Sequence, residues 1–294
     1  MNNDTSWGRR TFVALNYFIL AAVAAACLLP IVNVLALSLS TSAAVGSGQV
    51  KLWPVDFNLN SYAFVLGKPE FGRAFMISVL RVAVGVPLNM LLTVLIAYPL
   101  SKERRDFRFR GLYAWYFVVT MLFSGGLIPW YMTIKMTGII DTFWALILPG
   151  AVPVMNVILL LNFFKSLPDE IEEAGLMDGA GRWQALWRIA VPLSAPAIAT
   201  LTLFCIVNHW NSWFEGLILM NRPENYPLQS YLQTVIVNRD LSLMSAVDIT
   251  KWSMISDRTS RAAQVIVALL PVLLVYPFLQ RYFADGIVMG SVKG

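Results

Sequence analysis

Residues 166–193 read SLPDEIEEAGLMDGAGRWQALWRIAVPL, a polar stretch that lies between two apolar runs of the chain. Its start is acidic, and the acids that precede the first basic residue are Asp169, Glu170, Glu172, Glu173 and Asp178. Acidic side chains stabilise the first turn of a helix because the helix dipole is positive there. Ser166 with Asp169 three residues later fits a capping box. The stretch therefore predicts a short acidic helix.

The second half of the stretch predicts a break and a second helix. Ala174 and Gly175 are small enough to let another backbone approach the first helix. The segment 179–181, Gly-Ala-Gly, ends that helix because glycine adopts backbone angles that other residues avoid. One face of the following helix is apolar at helical spacing and is expected to anchor it to the rest of the protein: Trp183, Leu186, Trp187 and Ala190.

The apolar runs around this stretch predict a membrane protein. The chain of 294 residues is 57% hydrophobic and 13% charged, whereas soluble domains carry about 25% charged residues. A helix needs about 20 apolar residues to cross the hydrocarbon core. Six stretches qualify: 11–39, 73–100, 111–132, 142–164, 193–219 and 262–283. They are predicted to be helices, since the alternating pattern of a membrane β-strand is absent from the sequence.

Basic residues predict the orientation. A cluster between Lys102 and Arg110 follows the second predicted span, and cytoplasmic loops of membrane proteins are rich in Lys and Arg. Both termini and the 166–192 loop are therefore expected in the cytoplasm, with long loops 40–72 and 221–261 outside. The first apolar run is longer than the core of a signal peptide, which predicts that it is retained as a span.

The sequence offers little for catalysis. The two cysteines, Cys27 and Cys205, lie in apolar runs, and His209 is the one histidine, so neither a disulfide framework nor a Cys or His metal site is expected. No Gly-rich phosphate-binding loop with a lysine occurs. A membrane enzyme is therefore disfavoured, and no cofactor is expected in this chain.

The loop resembles the EAA loop of binding-protein-dependent ABC importer permeases. The pattern of that family is Glu-Ala-Ala, three residues, Gly, nine residues, Ile, one residue, Leu-Pro. This sequence keeps every interval, with Glu173, Ala174, Gly179, Ile189 and Pro192 at the matching positions. It departs at Gly175, where alanine is expected, and at Val191, where leucine is expected. The segments 178–180 and 210–214 further resemble the carbohydrate-type permeases of the MalG and LplC kind. The resemblance as a whole covers the six predicted spans and both termini, which is nearly the whole chain.

The resemblance implies an all-α membrane protein with six transmembrane helices, the type I ABC importer permease fold and a cytoplasmic coupling helix. It implies a tail and first helix over 1–40, an extracytoplasmic loop over 41–71, a transmembrane core over 72–284 with the coupling loop 166–192, and a cytoplasmic tail over 285–294. The residues expected to contact an ATPase subunit are Glu172, Glu173, Ala174, Gly175, Asp178, Gly179, Ala180, Trp183, Ile189 and Pro192.

The same resemblance implies the partners. They are a second homologous permease, two ATP-binding subunits that hold ATP and Mg²⁺, an extracytoplasmic solute-binding protein, the lipid bilayer and a sugar, with no nucleic acid. The expected location is the bacterial inner membrane. The sugar is an oligo- or polysaccharide, and an acidic one such as alginate would suit Arg81. An ion-driven secondary transporter or channel half is the alternative, but it would need ionisable pairs inside the membrane, and Arg81 has no obvious acidic partner there.

Polar residues inside the predicted spans are candidates for the sugar pathway, because such residues usually face a cavity or a partner helix. The candidates are Arg81, Asn89, Asn156, Asn208, His209, Trp210, Asn211 and Trp213. Each also has a structural interpretation. Arg81 can reach the membrane surface or pair with another subunit, the asparagines can join helices, and the tryptophans can belong to an interfacial aromatic belt.

Overall fold

A computed structural model describes residues 7–103, 107–236 and 257–291 of the chain. The N-terminal residues 1–6, part of the basic loop at 104–106, residues 237–256 of the second long loop and the last residues of the predicted C-terminal tail, 292–294, lie outside the described residues. The described residues divide into two compact units, one made of 7–69 and 257–270 and the other of 70–236 and 271–291, without 104–106.

The first unit begins with one long apolar helix. Helix α1 (Trp7–Ser38) covers the first predicted span, and none of its most apolar window is buried within the chain. Two short helices follow, α2 (Ser42–Gly46), capped by the Thr41 hydroxyl that accepts the Ala44 N–H, and α3 (Asn60–Leu66). A small apolar cluster fills the space beside α2: Ala36, Ala44, Val45 and Val50.

The second unit is built on α4 (Pro69–Ser101), an uninterrupted helix that covers the second predicted span. Its buried face is partly polar. Ser78, Arg81, Asn89 and Thr93 are all buried and follow one another at helical spacing. Helix α4 therefore carries a stripe of polar groups into the interior of this unit.

The third and fourth predicted spans are broken. Helices α5 (Arg110–Leu122) and α6 (Leu127–Met136) meet at 117° across an extended segment in which Gly126 has a φ of +88°. Two 3₁₀ turns, Phe143–Leu146 and Leu148–Gly150, meet α7 (Val154–Ser166) at 47°. Broken helices at membrane depth are tolerated where the freed backbone groups are buried in protein or line a cavity.

The predicted fifth span also differs from a single helix. After α8 (Asp169–Met177), the chain forms α9 (Arg182–Ala185), a π-helical turn (Leu186–Ala190) and α10 (Val191–Leu193). Helix α11 (Ala195–Asn211) then turns away by 81°. The prediction of one span over 193–219 is wrong at its end, because the extended backbone of Ser212 separates α11 from α12 (Phe214–Leu219).

A 3₁₀ turn (Pro223–Asn225), α13 (Leu228–Ile236) and α14 (Asp257–Ser291) complete the described chain, and α14 covers the sixth predicted span. The all-α membrane fold class is confirmed. Among the described residues, two helices, α1 and α4, are long and apolar enough to cross a membrane alone, and three bent pairs bring the number to five if each pair is one span. The larger core lies where α4, α7, α11 and the π-helical turn meet: it includes Val94, Leu160, Leu186 and Leu201.

Candidate functional site

The N-cap residue of helix α8 is Pro168 rather than a serine. The predicted capping box of Ser166 and Asp169 is wrong, because the Ser166 Oγ donates to the Phe163 carbonyl at 2.7 Å and belongs to the last turn of α7. The acids of the first turn, Asp169, Glu170 and Glu172, still lie where the helix dipole favours them.

The glycine that ends α8 does so as predicted. Gly179 has a φ of +87°, which residues with a Cβ rarely adopt. Its N–H donates to the Leu176 carbonyl at 3.1 Å, and the Ala180 N–H donates to the Gly175 carbonyl at 3.0 Å. These two bonds form a Schellman motif. The motif fixes the direction in which the chain leaves α8.

A charged cluster ties α8 to the end of α4. One carboxylate oxygen of Glu172 accepts the Tyr98 hydroxyl at 2.9 Å and lies 3.5 Å from an Arg182 guanidinium nitrogen. The other accepts a hydrogen bond from Lys102. The Lys102 and Glu172 side chains are 19% and 18% exposed, so water screens their attraction only in part. We call Tyr98, Lys102, Glu172 and Arg182 the Glu172 cluster.

Gly175 and Ile189, two residues of the EAA-like pattern, touch each other. A Cβ on Gly175 would lie 2.4 Å from the Ile189 Cδ1, so the absence of a side chain makes room for Ile189. The prediction that Gly175 admits another backbone is therefore wrong for the described chain, since a side chain of the next helical segment occupies the space. The contact holds α8 against the π-helical turn.

The predicted apolar face of the second helix is only half correct. Leu186 and Ala190 are each 3% exposed, but Trp183 is 64% exposed and Trp187 is 36% exposed. The two tryptophan rings pack edge to face at 5.8 Å on the surface. Trp187 lies in the π-helical turn, whose wider hydrogen-bond spacing departs from the 3.6-residue period, whereas Trp183 precedes that turn in α9. The tryptophans therefore do not anchor this segment to the core of the unit.

The remaining face of α8 is exposed. No residue of α8 is buried, and Glu173, Ala174 and Asp178 lie on its surface. Met177 is 88% exposed and Ile171 is 43% exposed, so apolar side chains stand among the acids. A mixed apolar and acidic surface on a helix held in place at Glu172 and Gly175 is suited to docking against another protein.

A second cluster lies at the other end of the unit, around the break between α11 and α12. Arg81 on α4 is 3% exposed and donates to the Ser212 carbonyl at 3.3 Å and to the Ser212 Oγ at 3.2 Å. Its guanidinium also lies 3.5 Å from the Glu215 carboxylate, which accepts the Ser212 hydroxyl. The expectation that Arg81 lacks an obvious acidic partner inside the predicted spans is therefore wrong. We call Arg81, Ser212 and Glu215 the Arg81 cluster.

The other predicted pathway residues fall into two groups. His209 is 4% exposed and its ring lies against α4, 2.7 Å from where a Cβ of Gly85 would be. Trp210 packs edge to face on Phe75 at 5.7 Å. Asn89 and Asn156 are also buried, whereas Asn208, Asn211 and Trp213 are exposed. The structure thus gathers five of the eight candidates into the interior, where they join helices as well as offering polar groups.

Unpaired polar atoms mark this interior. Within the described part of the chain, both ring nitrogens of His209, the Asn89 Oδ1 and the Thr93 Oγ1 have no hydrogen-bond partner. The Asn156 Nδ2 donates to the Cys205 Sγ at 3.3 Å. Buried polar groups without partners are costly. They are therefore candidates for contact with a ligand or water.

Sequence reasoning missed Glu215, Tyr98 and Lys102 as site residues. Glu215 had a clear signal, because it is the one acidic residue in the six predicted spans, and an ionisable residue inside a membrane is a functional candidate by default. Lys102 was used only for orientation. Nothing in the spacing joins Tyr98 or Lys102 to Glu172, which lies about 70 residues further along the chain.

The family of the chain follows from comparison. Residues 63–288 match the family described as binding-protein-dependent transport system inner membrane component. The chain belongs to this family. It is a permease, a multi-pass transport component of the membrane, and the predictions of the family, the fold class and a non-enzymatic role are confirmed. A secondary transporter or channel half is not favoured.

Two relatives from Bacillus subtilis align over nearly the whole chain. The protein LplC of Bacillus subtilis is 39% identical over 97% of this chain and 96% of its own length. The polygalacturonan/rhamnogalacturonan transport system permease protein YtcP of Bacillus subtilis is 37% identical over 97% of this chain and 99% of its own length.

Solved structures agree with this assignment. A chain of a bacterial ABC transporter involved in the import of the acidic polysaccharide alginate is 32% identical and covers 96% of this permease and 100% of its own length, with a TM-score of 0.88. A chain of a bacterial alginate ABC transporter, in complex with an alginate pentasaccharide-bound periplasmic protein, is 15% identical with a TM-score of 0.55. It covers 92% of this permease and 93% of its own length. That second likeness shows the fold alone.

Proposed function

We propose that this permease is one of two membrane subunits of an ATP-driven importer that moves an oligo- or polysaccharide into the cytoplasm by alternating access. The relatives support a sugar as the substrate. YtcP is named for polygalacturonan and rhamnogalacturonan transport, and the solved structure with a TM-score of 0.88 belongs to a transporter involved in alginate import. All three of these polysaccharides are acidic. An acidic sugar is therefore the substrate class that these relatives favour.

The observation that carries the proposal is the way α8 is mounted. One face of it is exposed, yet the helix is fixed to α4 through the Glu172 cluster and to the π-helical turn through Gly175 and Ile189. A helix mounted in this way transmits a displacement as a rigid body, because neither attachment can stretch without losing packing or a charged hydrogen bond.

In this proposal, α8 is the coupling helix, and it docks on one of two ATP-binding subunits that hold ATP and Mg²⁺. The docking surface includes Glu173, Ala174, Asp178, Gly179 and Ala180, while Glu172, Gly175 and Ile189 hold it in place. Trp183 and Trp187 are exposed and extend the surface that a partner can cover. Pro192 ends the segment next to the bend into α11.

This function sets the orientation. The coupling helix and both termini face the cytoplasm, and the Arg81 cluster lies toward the outer side, where a solute-binding protein delivers the sugar to this permease and its homologous partner. The pathway is formed by the polar stripe of α4 and the facing residues of α7, α11 and α12. Arg81 is occupied by Glu215 and Ser212. It therefore acts on an acidic sugar only after exchanging one of these partners.

The experiment that tests the function is reconstitution. The permease with its partner permease, ATPase subunits and solute-binding protein is placed in proteoliposomes, and uptake of trigalacturonate and of maltotriose is measured with and without ATP. Uptake of either sugar that requires both ATP and the binding protein is expected. Uptake driven by a proton gradient alone would contradict the proposal.

A crosslink tests the coupling helix in the same complex. A cysteine is introduced as Ala174→Cys in a Cys27→Ser background, because Cys27 is exposed and Cys205 is buried. A second cysteine is scanned along the ATPase subunit. Crosslinks from position 174 that change with nucleotide are expected. The exposed position Leu112, on α5, is the control and should give none.

A further inference from the structure

An open cavity lies where α5 breaks into α6, beside the start of α12. Its volume is about 640 Å³, within the range of about 300–1,000 Å³ that small-molecule sites occupy. The described residues that line it with polar or aromatic side chains are Thr120, Ser124, Trp130, Thr133, Phe214 and Glu215. None of these six was a pathway candidate from the sequence. We call this the Glu215 cavity.

The break between the two helices creates the space. Phe123 adopts an extended conformation and Gly126 has a positive φ, so the chain turns by 117° instead of continuing through the volume. The hydroxyl of Ser124 accepts the Gly126 N–H at 3.2 Å and stabilises the turn. The cavity is therefore part of the folded shape of this segment.

The walls combine two kinds of chemistry. Trp130 and Phe214 provide aromatic surface, and Phe214 is 39% exposed. Thr120, Ser124 and Thr133 provide hydroxyls. Pyranose rings present apolar C–H faces and a rim of hydroxyl groups, so aromatic surface and hydrogen-bonding oxygens match them together.

Glu215 supplies the strongest acceptor. It is the one ionisable side chain among the described residues that line the cavity. Arg81 behind it is 3% exposed and lies outside the cavity, while the Glu215 side chain is 33% exposed. Arg81 and Ser212 therefore fix the carboxylate from the buried side. A carboxylate accepts hydrogen bonds from sugar hydroxyls and repels a sugar carboxylate.

From this arrangement we propose that the Glu215 cavity is a sugar subsite of this permease, which binds one pyranose ring through its hydroxyls and its C–H face. The inference rests on the proposed function and deepens it. An acidic oligosaccharide binds here through a face of its ring that carries hydroxyl groups, and the carboxylate of the sugar points away from Glu215. Phe214 and Glu215 are the residues that determine this preference.

Protection from labelling tests the subsite directly. The full complex with Thr120→Cys in the Cys27→Ser background is trapped with ATP and an ATPase-inactive partner subunit. It is then labelled with a maleimide in the presence of millimolar maltotriose or trigalacturonate. At least one sugar is expected to slow labelling about fivefold or more, as occupancy of most copies requires. A control cysteine at Leu122, which is 66% exposed and does not line the cavity, should label at an unchanged rate.

Two aromatic substitutions separate binding from folding. Phe214→Leu removes a wall of the cavity and is expected to abolish the protection. Phe123→Leu is the matched control, because Phe123 is 75% exposed and does not line the cavity, and it should leave protection intact. Glu215→Gln keeps the shape and should weaken protection by both sugars, and by maltotriose the more strongly.

Each outcome decides one proposal. Uptake of a sugar without protection at position 120 would overturn the subsite and leave the transport function standing. Protection without ATP-dependent uptake would overturn the transport function and leave the subsite standing. Equal loss of protection in the Phe214 and Phe123 variants would show a general disturbance of the break and would also overturn the subsite.

Discussion

The contact between Gly85 on α4 and His209 on α11 gives the sharpest test of the packing. A Cβ on Gly85 would lie 2.7 Å from both the Cε1 and the Nε2 of His209, and 3.2 Å from its Cδ2. Ordinary contacts of this kind begin near 3.4 Å. Gly85→Ala therefore forces the helices apart by at least about 0.7 Å or turns a ring that is 4% exposed in a close-packed interior.

The expected cost follows from overpacking. Adding a methyl group to a packed interior costs about 1–3 kcal/mol, and each kcal/mol lowers the melting temperature of a soluble domain of 150–250 residues by about 2–4 °C. We expect Gly85→Ala to lower the melting temperature of the purified complex by several degrees. Gly72→Ala is the matched control, because it makes the same substitution on the same helix with open space around it.

A double variant tests whether the His209 ring causes the loss of stability in Gly85→Ala. His209→Ala removes the ring, so the methyl group of Gly85→Ala then fills part of the space. The two substitutions are expected to be non-additive by more than about 0.5 kcal/mol, as residues in contact usually are. The measurement is the thermal unfolding of the complex in lipid nanodiscs. A Gly85→Ala complex as stable as the Gly72→Ala complex, or strictly additive effects in the double variant, would refute the packing argument.

Three other variants test the remaining contacts. Glu172→Ala breaks a charged cluster worth about 1–3 kcal/mol and should lower the amount of sugar taken up per ATP hydrolysed. The control Glu170→Ala, at an exposed position, should not lower it, and equal uptake per ATP in the two variants would contradict this. Gly216→Ala places a Cβ 2.1 Å from the Ser230 Oγ and should lower the melting temperature, with Gly72→Ala again unaffected. Asp141→Asn should remove part of the acid sensitivity of wild-type stability below pH 4; identical pH profiles of the melting temperature would disprove that.

The hydrogen bonds to Asp141 determine in which direction its contribution to stability changes with pH. Its pKa lies below the ordinary value of 3.8, chiefly because the Asn225 side chain donates to it at 3.1 Å, with further contributions from Arg222 and the Asn221 N–H; burial opposes the shift. A carboxylate with a depressed pKa stabilises the fold above its unfolded pKa. That contribution is lost as the pH falls through the folded pKa.

Much of the architecture could be predicted because it depends on local sequence. Long apolar runs specify membrane helices. Gly179, which has a positive φ, ends α8 at the position that the Gly-Ala-Gly segment predicted. The exposure of Trp187 could not be predicted, because Trp187 lies in a π-helical turn that a 3.6-residue period does not reveal. The break at Ser212 was missed although the sequence turns polar there, with Asn211, Ser212 and Glu215 close together in the run.

The site was harder to predict than the fold, because its contacts join residues that are distant along the chain. Arg81 meets Ser212 and Glu215 about 130 residues away, across two elements whose pairing the sequence does not encode locally. The EAA-like spacing predicted that Gly175 and Ile189 matter, but not that they touch each other. Only the packed structure shows that two positions of the pattern form one contact.

Helix α4 places both clusters on one rigid element, and this has a mechanical consequence. Arg81 and Tyr98 are 17 residues apart on a single helix, which corresponds to about 25 Å along its axis. Pro87 lies between them and removes one backbone hydrogen bond, yet the helix remains uninterrupted. In the proposed function a partner displaces α8, and the Glu172 cluster would then move the end of α4 near Tyr98. Because a packed helix does not compress along its axis, the displacement reaches Arg81 as a tilt or shift of the whole helix. The exchange of Arg81 between Glu215 and a sugar would then be linked to the nucleotide state of the ATP-binding subunits without any further connecting element.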